Sequence, residues 1–290
     1  MEIRNIQKTG DMHYVYLPTA WCREYHISSK SKVGINQNSD GSIIISPELT
    51  EKKPKHLKLH VTEDDPEVLH KLIVSSYINP VASFQINMDN EVDFTRLINQ
   101  KKLISMESVE IDKKQITSEG VVTVSDPGSL LKTMVRKIKN MVIVMSKNYD
   151  KGLIERYEDE IDRSKMLIDK AIIGSLTFGK TIKLKNIELY YISLISKELE
   201  RIVDRLICLE DGNKNFLDAF GNTTELLQNI FQDTSKLDQK QAMEFARSVS
   251  KLKKTGVKDD KNNNILRIKL NFDCVSEVIM DWMITLKIEN

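Results

Sequence analysis

The 290-residue sequence lacks proline over its whole second half. All six prolines lie at or before Pro127. Because proline removes a helical hydrogen bond and clashes with the preceding turn, the stretch without it can form long, uninterrupted helices. We therefore predict that residues 125–290 form an all-α bundle.

Cysteine is scarce, and its pattern excludes a disulfide scaffold. Cys22, Cys208 and Cys274 are an odd number, are far apart in the chain and form no C-x-x-C pair, which is typical of a reducing compartment. The amino terminus lacks the basic-then-apolar order of a signal peptide. The longest uncharged run is interrupted by Asn79 and Pro80, so it does not read as a membrane span. We expect a cytoplasmic protein without membrane insertion.

The sequence also has little net charge and few motifs of catalysis. Lys and Arg number 43 against 42 Asp and Glu, which leaves a net charge of +1. No overall field attracts nucleic acid or anionic membranes, so any such binding must be local. The sequence contains no G-x-x-x-x-G-K-S/T, G-x-S-x-G or H-E-x-x-H motif. We predict that the protein is not an enzyme.

The chain is about twice as long as a typical domain of roughly 150 residues, and its patterns change twice along its length. Residues 1–50 are predicted to be rich in β-structure, with turns at Gly10-Asp11 and Asp40-Gly41 and a short helix from Pro18. A unit of fifty residues buries little surface, so we expect it to form an obligate dimer. Its predicted strands are Ile3–Thr9, Tyr14–Leu17, Ser31–Asn36 and Ser42–Ser46.

Residues 51–124 alternate between strand-like and helix-like periodicity, which predicts a small α+β middle unit. The predicted helices are Pro66–Tyr77 and Val92–Lys102. The predicted strands are His56–Val61, Ser83–Met88, Ser108–Ile111 and Gly120–Val124.

Helical periodicity continues from Asp126 to the end of the sequence. The pattern of three helices occurs twice, which predicts two diverged three-helix repeats at about 125–212 and 213–290. The first repeat has one helix beginning at Asp126, a second ending near Gly174 and a third from about Lys185 to Glu210. The second repeat has helices at Phe216–Thr234, Asp238–Leu252 and Asn264–Lys287.

Acidic residues spaced as E-x-x-x-D are the main candidates for a functional site. A spacing of four places both carboxylates of a pair on one helix face, and neighbouring helices of a bundle can bring such pairs together around a metal ion. The alternative is a set of ordinary surface ion pairs, because Arg156, Arg163, Arg201 and Arg205 lie close in sequence. The three pairs are Glu158 with Asp162, Glu200 with Asp204, and Glu277 with Asp281.

The basic residues Arg4, Lys8 and Arg23 are candidates for DNA contact in the first fifty residues. Arg4 and Lys8 have an even spacing, which would place them on one strand face. A dimer would present that face twice to duplex DNA. The alternative is a β-rich dimerisation module that does not contact DNA.

The first fifty residues resemble the AbrB/SpoVT/MazE-type swapped-hairpin domain. The resemblance is carried in order by R-N-I-Q-K-T-G from Arg4, Y-V-Y-L-P-T-A-W from Tyr14 and D-G-S-I-I-I-S-P from Asp40. It implies that two chains interleave their strands into one small β-barrel that presents basic residues to DNA. The resulting fold class is an α+β multidomain protein with a swapped-hairpin head, an α+β middle unit and an all-α bundle.

The helical half resembles PhoU, the phosphate-uptake regulator. Y-E-D-E-I-D from Tyr157 and L-E-R-I-V-D from Leu199 are similar to the family's second-helix and third-helix motifs. The resemblance implies carboxylate-bound metal, as a divalent or ferric ion such as Fe, Zn, Mn or Mg, and action on a phosphate transporter ATPase or a signalling partner. The middle helix of the second repeat has no E-x-x-x-D, so an incomplete second metal site is expected.

Together these patterns suggest a homodimeric regulator of transcription and phosphate uptake, with a DNA-binding head and a metal-binding helical body. The alternative is an adaptor that does not bind DNA and that represses a phosphate ABC transporter ATPase through protein contact. Loss of salt-dependent DNA binding on neutralising Arg4 and Lys8 would favour the regulator.

Overall fold

The protein is a mixed α+β protein that divides into two compact units, Met1–Lys53 and Pro54–Asn290. The computed structural model describes residues 3–37, 41–47, 55–91, 97, 109–112, 114–119, 126–178, 184–209, 213–252 and 261–289. Apart from Leu97, the predicted helix at Val92–Lys102 lies outside these residues, as does the predicted strand at Gly120–Val124.

The first unit contains two short antiparallel hairpins and one short helix. Strands β1 (Gln7–Thr9) and β2 (Met12–Tyr14) pair across the predicted turn at Gly10-Asp11, where Gly10 has a φ of 62° that favours glycine. Strands β3 (Gly34–Gln37) and β4 (Ile43–Ser46) form the second hairpin. Helix α1 (Thr19–Glu24) begins after Pro18, as predicted.

Three of the predicted strands in this unit were wrong in their bounds. The third, Ser31–Asn36, begins three residues later, as β3 (Gly34–Gln37). The first predicted strand, Ile3–Thr9, shortens to β1, and the second moves from Tyr14–Leu17 to Met12–Tyr14. A strand requires a hydrogen-bonded neighbour, and within one chain the hairpin supplies a partner for only three residues on each side. In the single chain Val15 and Tyr16 lie outside any strand and are exposed.

The second unit begins with a four-stranded sheet in the order β5-β6-β8-β7. Strand β5 (His56–Val61) runs parallel to β6 (Ser83–Met88), and helix α2 (Pro66–Ile78) connects them. The three elements agree with the predicted ones to within a residue. Strands β7 (Val109–Asp112) and β8 (Gln115–Glu119) complete the sheet as an antiparallel pair. Strand β8 was not predicted, because its core-facing positions include Ser118, which weakens the apolar alternation.

The carboxyl-terminal region is helical, as predicted. Its described residues form six α-helices and one short 3₁₀ turn at Thr234–Lys236. The helices are α3 (Pro127–Lys147), α4 (Lys151–Phe178), α5 (Asn186–Leu206), α6 (Lys214–Ile230), α7 (Gln239–Leu252) and α8 (Lys261–Glu289).

Aspartates fix where several helices begin. The Asp126 side chain accepts hydrogen bonds from the backbone amide and hydroxyl of Ser129, at 2.9 and 2.7 Å. Asp150 accepts from the Leu153 amide before α4. Asp238 and Gln241 satisfy each other's backbone amides before α7. Each cap pairs an amide that has no partner within the helix, which is worth about 1 kcal/mol.

The end predicted for the second helix was wrong. Helix α4 continues four residues beyond Gly174, which is buried inside the helix. Glycine within a helix costs about 1 kcal/mol relative to alanine, and the packing of the buried face on either side outweighs that cost. Gly174 therefore marks a packed position and not a helix end.

Two hydrophobic cores stabilise the second unit, and α4 contributes to both. The larger core lies among α3–α8 and includes a stack of Phe220 on Phe272, whose ring centroids are 4.9 Å apart. The smaller core lies between the sheet and α2, and Met166 of α4 is buried in it. Beside Met166, the Lys170 ammonium lies 4.3 Å from the centre of the Tyr77 ring, and burial lowers the pKa of Lys170. Helix α4 thus joins the sheet layer to the bundle.

No helix within the described residues is both long enough and apolar enough to cross a membrane.

Replacing Phe272 by alanine should lower the free energy of unfolding by about 3–5 kcal/mol, because the ring is fully buried and stacks on Phe220. Leu270 lies on the same helix but is 52% exposed, so Leu270→Ala should change it by about 0.5 kcal/mol or less. Urea denaturation followed by circular dichroism at the helical band measures both. Equal losses in the two variants would contradict this account of the core.

Candidate metal centre

The candidate centre lies where α4 packs against α5. Each helix carries an E-x-x-x-D pair, and the spacing of four keeps both carboxylates of a pair on one face. Apolar positions on either side of the pairs, including Ile161, Leu199 and Val203, are buried in the bundle core. Packing of those positions fixes the register of the two helices and therefore the position of the acidic side chains.

Three of the predicted acidic residues come together at this seam. Asp162 of α4 and Glu200 and Asp204 of α5 each offer a carboxylate oxygen, and these oxygens lie within 4.8 Å of one another. Asp162 is buried, Glu200 is half-buried and Asp204 is exposed. The group therefore opens from the interior of the seam towards solvent, and an ion could reach it from that side.

The fourth predicted ligand, Glu158, is buried one helical turn before Asp162. Its side chain is 4% exposed, but it does not belong to the group of oxygens within 4.8 Å. Glu158 thus lies on the buried face of α4, outside the cluster.

The third pair, Glu277 and Asp281, lies elsewhere. Both residues are exposed on α8, and among the described residues neither joins a group of three candidate ligands. Helix α8 packs against α5, and there Glu277 lies near Glu198 and Cys274. Glu198 comes two residues before Glu200, which turns it by about 200° around the helix, away from α4 and towards α8.

The pKa of the Cys274 thiol reflects the acidic residues around it on α8 and α5. Although the residue is exposed overall, desolvation of its sulfur raises the pKa of the thiol, and the carboxylates of Glu198, Glu277 and Asp273 raise it further. This grouping was not predicted from the sequence. The i, i+3 spacing of Cys274 and Glu277 was visible in the sequence, but the approach of Glu198 depends on the packing of α5 on α8.

One of the arginines considered as an ordinary ion-pair partner has a different partner. Arg201 of α5 donates to the Glu198 carboxylate at 2.7 Å. It therefore pairs on the α8 side of α5 and not with the neighbouring Glu200 pair on the α4 side.

The predicted DNA-contacting residues lie at the surface of the first unit. Arg4, Lys8 and Arg23 are all exposed. Lys8 lies in β1 opposite His13, and Arg23 lies in the last turn of α1. The expectation that Arg4 and Lys8 share a strand face was wrong for the single chain, because β1 begins only at Gln7.

Comparison with known proteins adds no further identification, since no protein-family profile, no curated protein and no solved structure matches the chain.

The Cys274 thiol should react slowly with iodoacetamide near neutral pH, because a raised pKa lowers the thiolate fraction at a given pH. The rate should rise about tenfold per pH unit until the raised pKa is passed. Glu277→Gln should accelerate the reaction, because it removes one of the charges that oppose the thiolate. Mass spectrometry of the modified peptide gives the rate.

The matched control is Asp281→Asn, which removes a charge one helical turn further along α8. It should leave the Cys274 rate close to that of the unmodified sequence. If both variants react at the unmodified rate, the neighbouring carboxylates do not control the thiol.

Proposed function

We propose that the protein is a homodimeric, DNA-binding regulator of phosphate uptake whose helical body holds a divalent or ferric cation. The proposal rests above all on one observation. The carboxylates of Asp162, Glu200 and Asp204, which belong to two separate sequence motifs, converge within 4.8 Å at one seam of the bundle.

The side chains at this seam have the chemistry of a cation site. Carboxylate oxygens are ligands for Mg²⁺, Mn²⁺, Zn²⁺ and iron. The three residues, with Glu158 one turn away, supply such a donor set on facing helices of a bundle.

Comparison of the two proposed repeats supports a metal site in the first repeat alone. The offset that takes Glu200 to Glu277 also takes Asp204 to Asp281, so α8 corresponds to α5. On the middle helices, the buried positions Ile161 and Ile168 correspond to Phe245 and Leu252. The middle helices are offset by 84 residues, as Ile161 and Phe245 show, and this offset takes Glu158 and Asp162 to Ala242 and Ala246. The second repeat therefore lacks half of the donor set.

The surface of the first unit supports a dimer. None of its described residues, 3–37 and 41–47, is buried. A folded unit does not leave so many large apolar side chains in water without a partner. A second copy that interleaves its hairpins with these would cover them and form the swapped-hairpin barrel. The exposed apolar residues are Ile3, Ile6, Met12, Tyr14, Val15, Tyr16, Tyr25, Ile35, Ile43 and Ile44.

DNA contact is proposed through the basic residues of this dimer. Arg4, Lys8 and Arg23 are exposed, so their charges are accessible to phosphates. Two copies double the number of such residues, which matters because the whole chain carries only +1. In this proposal the head supplies contact with DNA and the helical body supplies the response to metal and to a transport or signalling partner.

Replacing Glu200 and Asp204 by alanine should remove most of the metal that co-purifies with the full-length protein, because it removes two of the three converging carboxylates. Elemental analysis after dialysis measures the content. The matched control is the double variant Glu277→Ala, Asp281→Ala, which should keep the metal. Unchanged content in the first variant, or equal loss in both, would refute the proposed centre.

Replacing Arg4 and Lys8 by alanine should weaken binding to promoter fragments and reduce the slope of log affinity against log salt by about two per chain. Fluorescence anisotropy across a salt series measures both quantities, and light scattering checks that the variant remains a dimer. The control Lys71→Ala removes a charge on α2 and should change neither. Absence of DNA binding by the unmodified protein at low salt would favour the adaptor, and a monomeric mass would refute the dimer.

A further inference from the structure

The E-x-x-x-D pair on α8 does not join the candidate metal centre, and its surroundings suggest another use. Glu277 and Asp281 continue along the helix into Ile284 and Ile288, at spacings of four, three and four. All four side chains are exposed, Ile284 by 49% and Ile288 by 79%. Such spacing forms one continuous stripe on a helix. The stripe is acidic at one end and apolar at the other, and we call it the α8 stripe.

A second exposed stripe lies on the neighbouring helix α7. Lys240, Met243, Arg247 and Lys251 follow one another at spacings of three, four and four, and all are exposed. They line a surface groove of about 810 Å³ whose floor includes Leu226 of α6. We call these four residues the α7 stripe. It carries positive charge at Lys240, Arg247 and Lys251, and Met243 supplies its apolar side chain.

The floor of this groove is held in place by contacts between the helices. The hydroxyl groups of Thr223 on α6 and Ser248 on α7 are hydrogen-bonded at 2.7 Å. At the other end, Lys287 of α8 donates to the Gln239 side chain at 2.9 Å. The groove is therefore part of the packed bundle.

The two stripes match in length and chemistry. Each spans eleven residue steps, which is about 16 Å along a helix axis. In an antiparallel pairing, Lys251 lies opposite Glu277, and Arg247 lies opposite Asp281. The same register places Ile284 opposite Glu244, beside Met243, and Ile288 opposite Lys240. The two acidic residues of the α8 stripe thus meet two basic residues of the α7 stripe.

Charge also selects this direction over the parallel one. Glu244 lies in the same groove as the basic residues. In the antiparallel register Glu244 faces Ile284, whereas in the parallel register it faces Asp281. Like charges directly opposed are unfavourable, so Glu244 disfavours the parallel pairing.

We propose that the α7 groove of one copy of this protein receives the α8 stripe of a second copy. The occupant is a second copy because the chain itself presents a helix face of complementary charge, apolar content and length. Since α7 and α8 are neighbours in each chain, a two-fold arrangement repeats the same contact on both sides of the axis. The contact is independent of metal and DNA binding, and it gives Glu277 and Asp281 a role outside the metal centre.

Disulfide trapping between two distinguishable chains tests the proposal. In full-length protein, Cys22, Cys208 and Cys274 are first replaced by serine. One chain with a first affinity tag carries Met243→Cys, and a co-expressed chain with a second tag carries Ile284→Cys. Because each chain then has a single cysteine, any disulfide between the two tags joins two copies. Mild oxidation should give this mixed product at least fivefold more than a control pair of Lys71→Cys with Ile284→Cys.

A charge exchange then tests the chemistry of the contact. Arg247→Glu in the first chain should reduce the mixed product at least fivefold, and addition of Asp281→Arg in the second chain should restore it. No excess over the control pair would overturn the proposal, and so would a product that Arg247→Glu does not change. An excess of the product that is lost and then restored supports it. Sedimentation of each variant verifies that the head dimer is intact throughout.

Discussion

The packing of α4 against α5 is the constraint on which the rest of the second unit depends. A carboxylate on one helix does not form a metal site by itself. It needs further carboxylates, which the opposite helix supplies. Burial of Ile161, Leu199 and Val203 fixes the register of the two helices, and with that register Asp162, Glu200 and Asp204 must approach one another. The cost of gathering these charges is offset by apolar burial along the rest of the seam.

Helix α4 links this seam to the sheet layer. Over 28 residues it carries Glu158 and Asp162 in its first half, and then Met166 and Lys170, which contact the core between the sheet and α2. One helix thus carries residues of the candidate centre and residues that contact the α+β layer of the same unit.

The first unit has the opposite character. It has hairpins and turns but no buried residue among those described. A single chain therefore leaves the apolar side chains of this unit in contact with water. The second unit buries apolar side chains in two cores, and the large apolar residues that stay exposed, such as Val68, Ile143 and Ile284, lie on several of its helices. The two units would therefore depend on self-association to different degrees, the first for its fold and the second for an added contact.

The sequence by itself determined the local elements and their chemistry. Proline and aspartate at Asp65-Pro66 and Asp126-Pro127 set helix starts through backbone geometry and capping, and the spacing of Glu158 and Asp162 set their common face. These effects act within a few residues, so the pattern carries them. Only the tertiary structure decided which faces meet. It placed Glu200 towards α4 and Glu198 towards α8, left Glu277 and Asp281 outside the cluster, and kept Gly174 inside a helix. These outcomes depend on packing between residues far apart in the chain. A local sequence pattern does not determine which residues pack against each other.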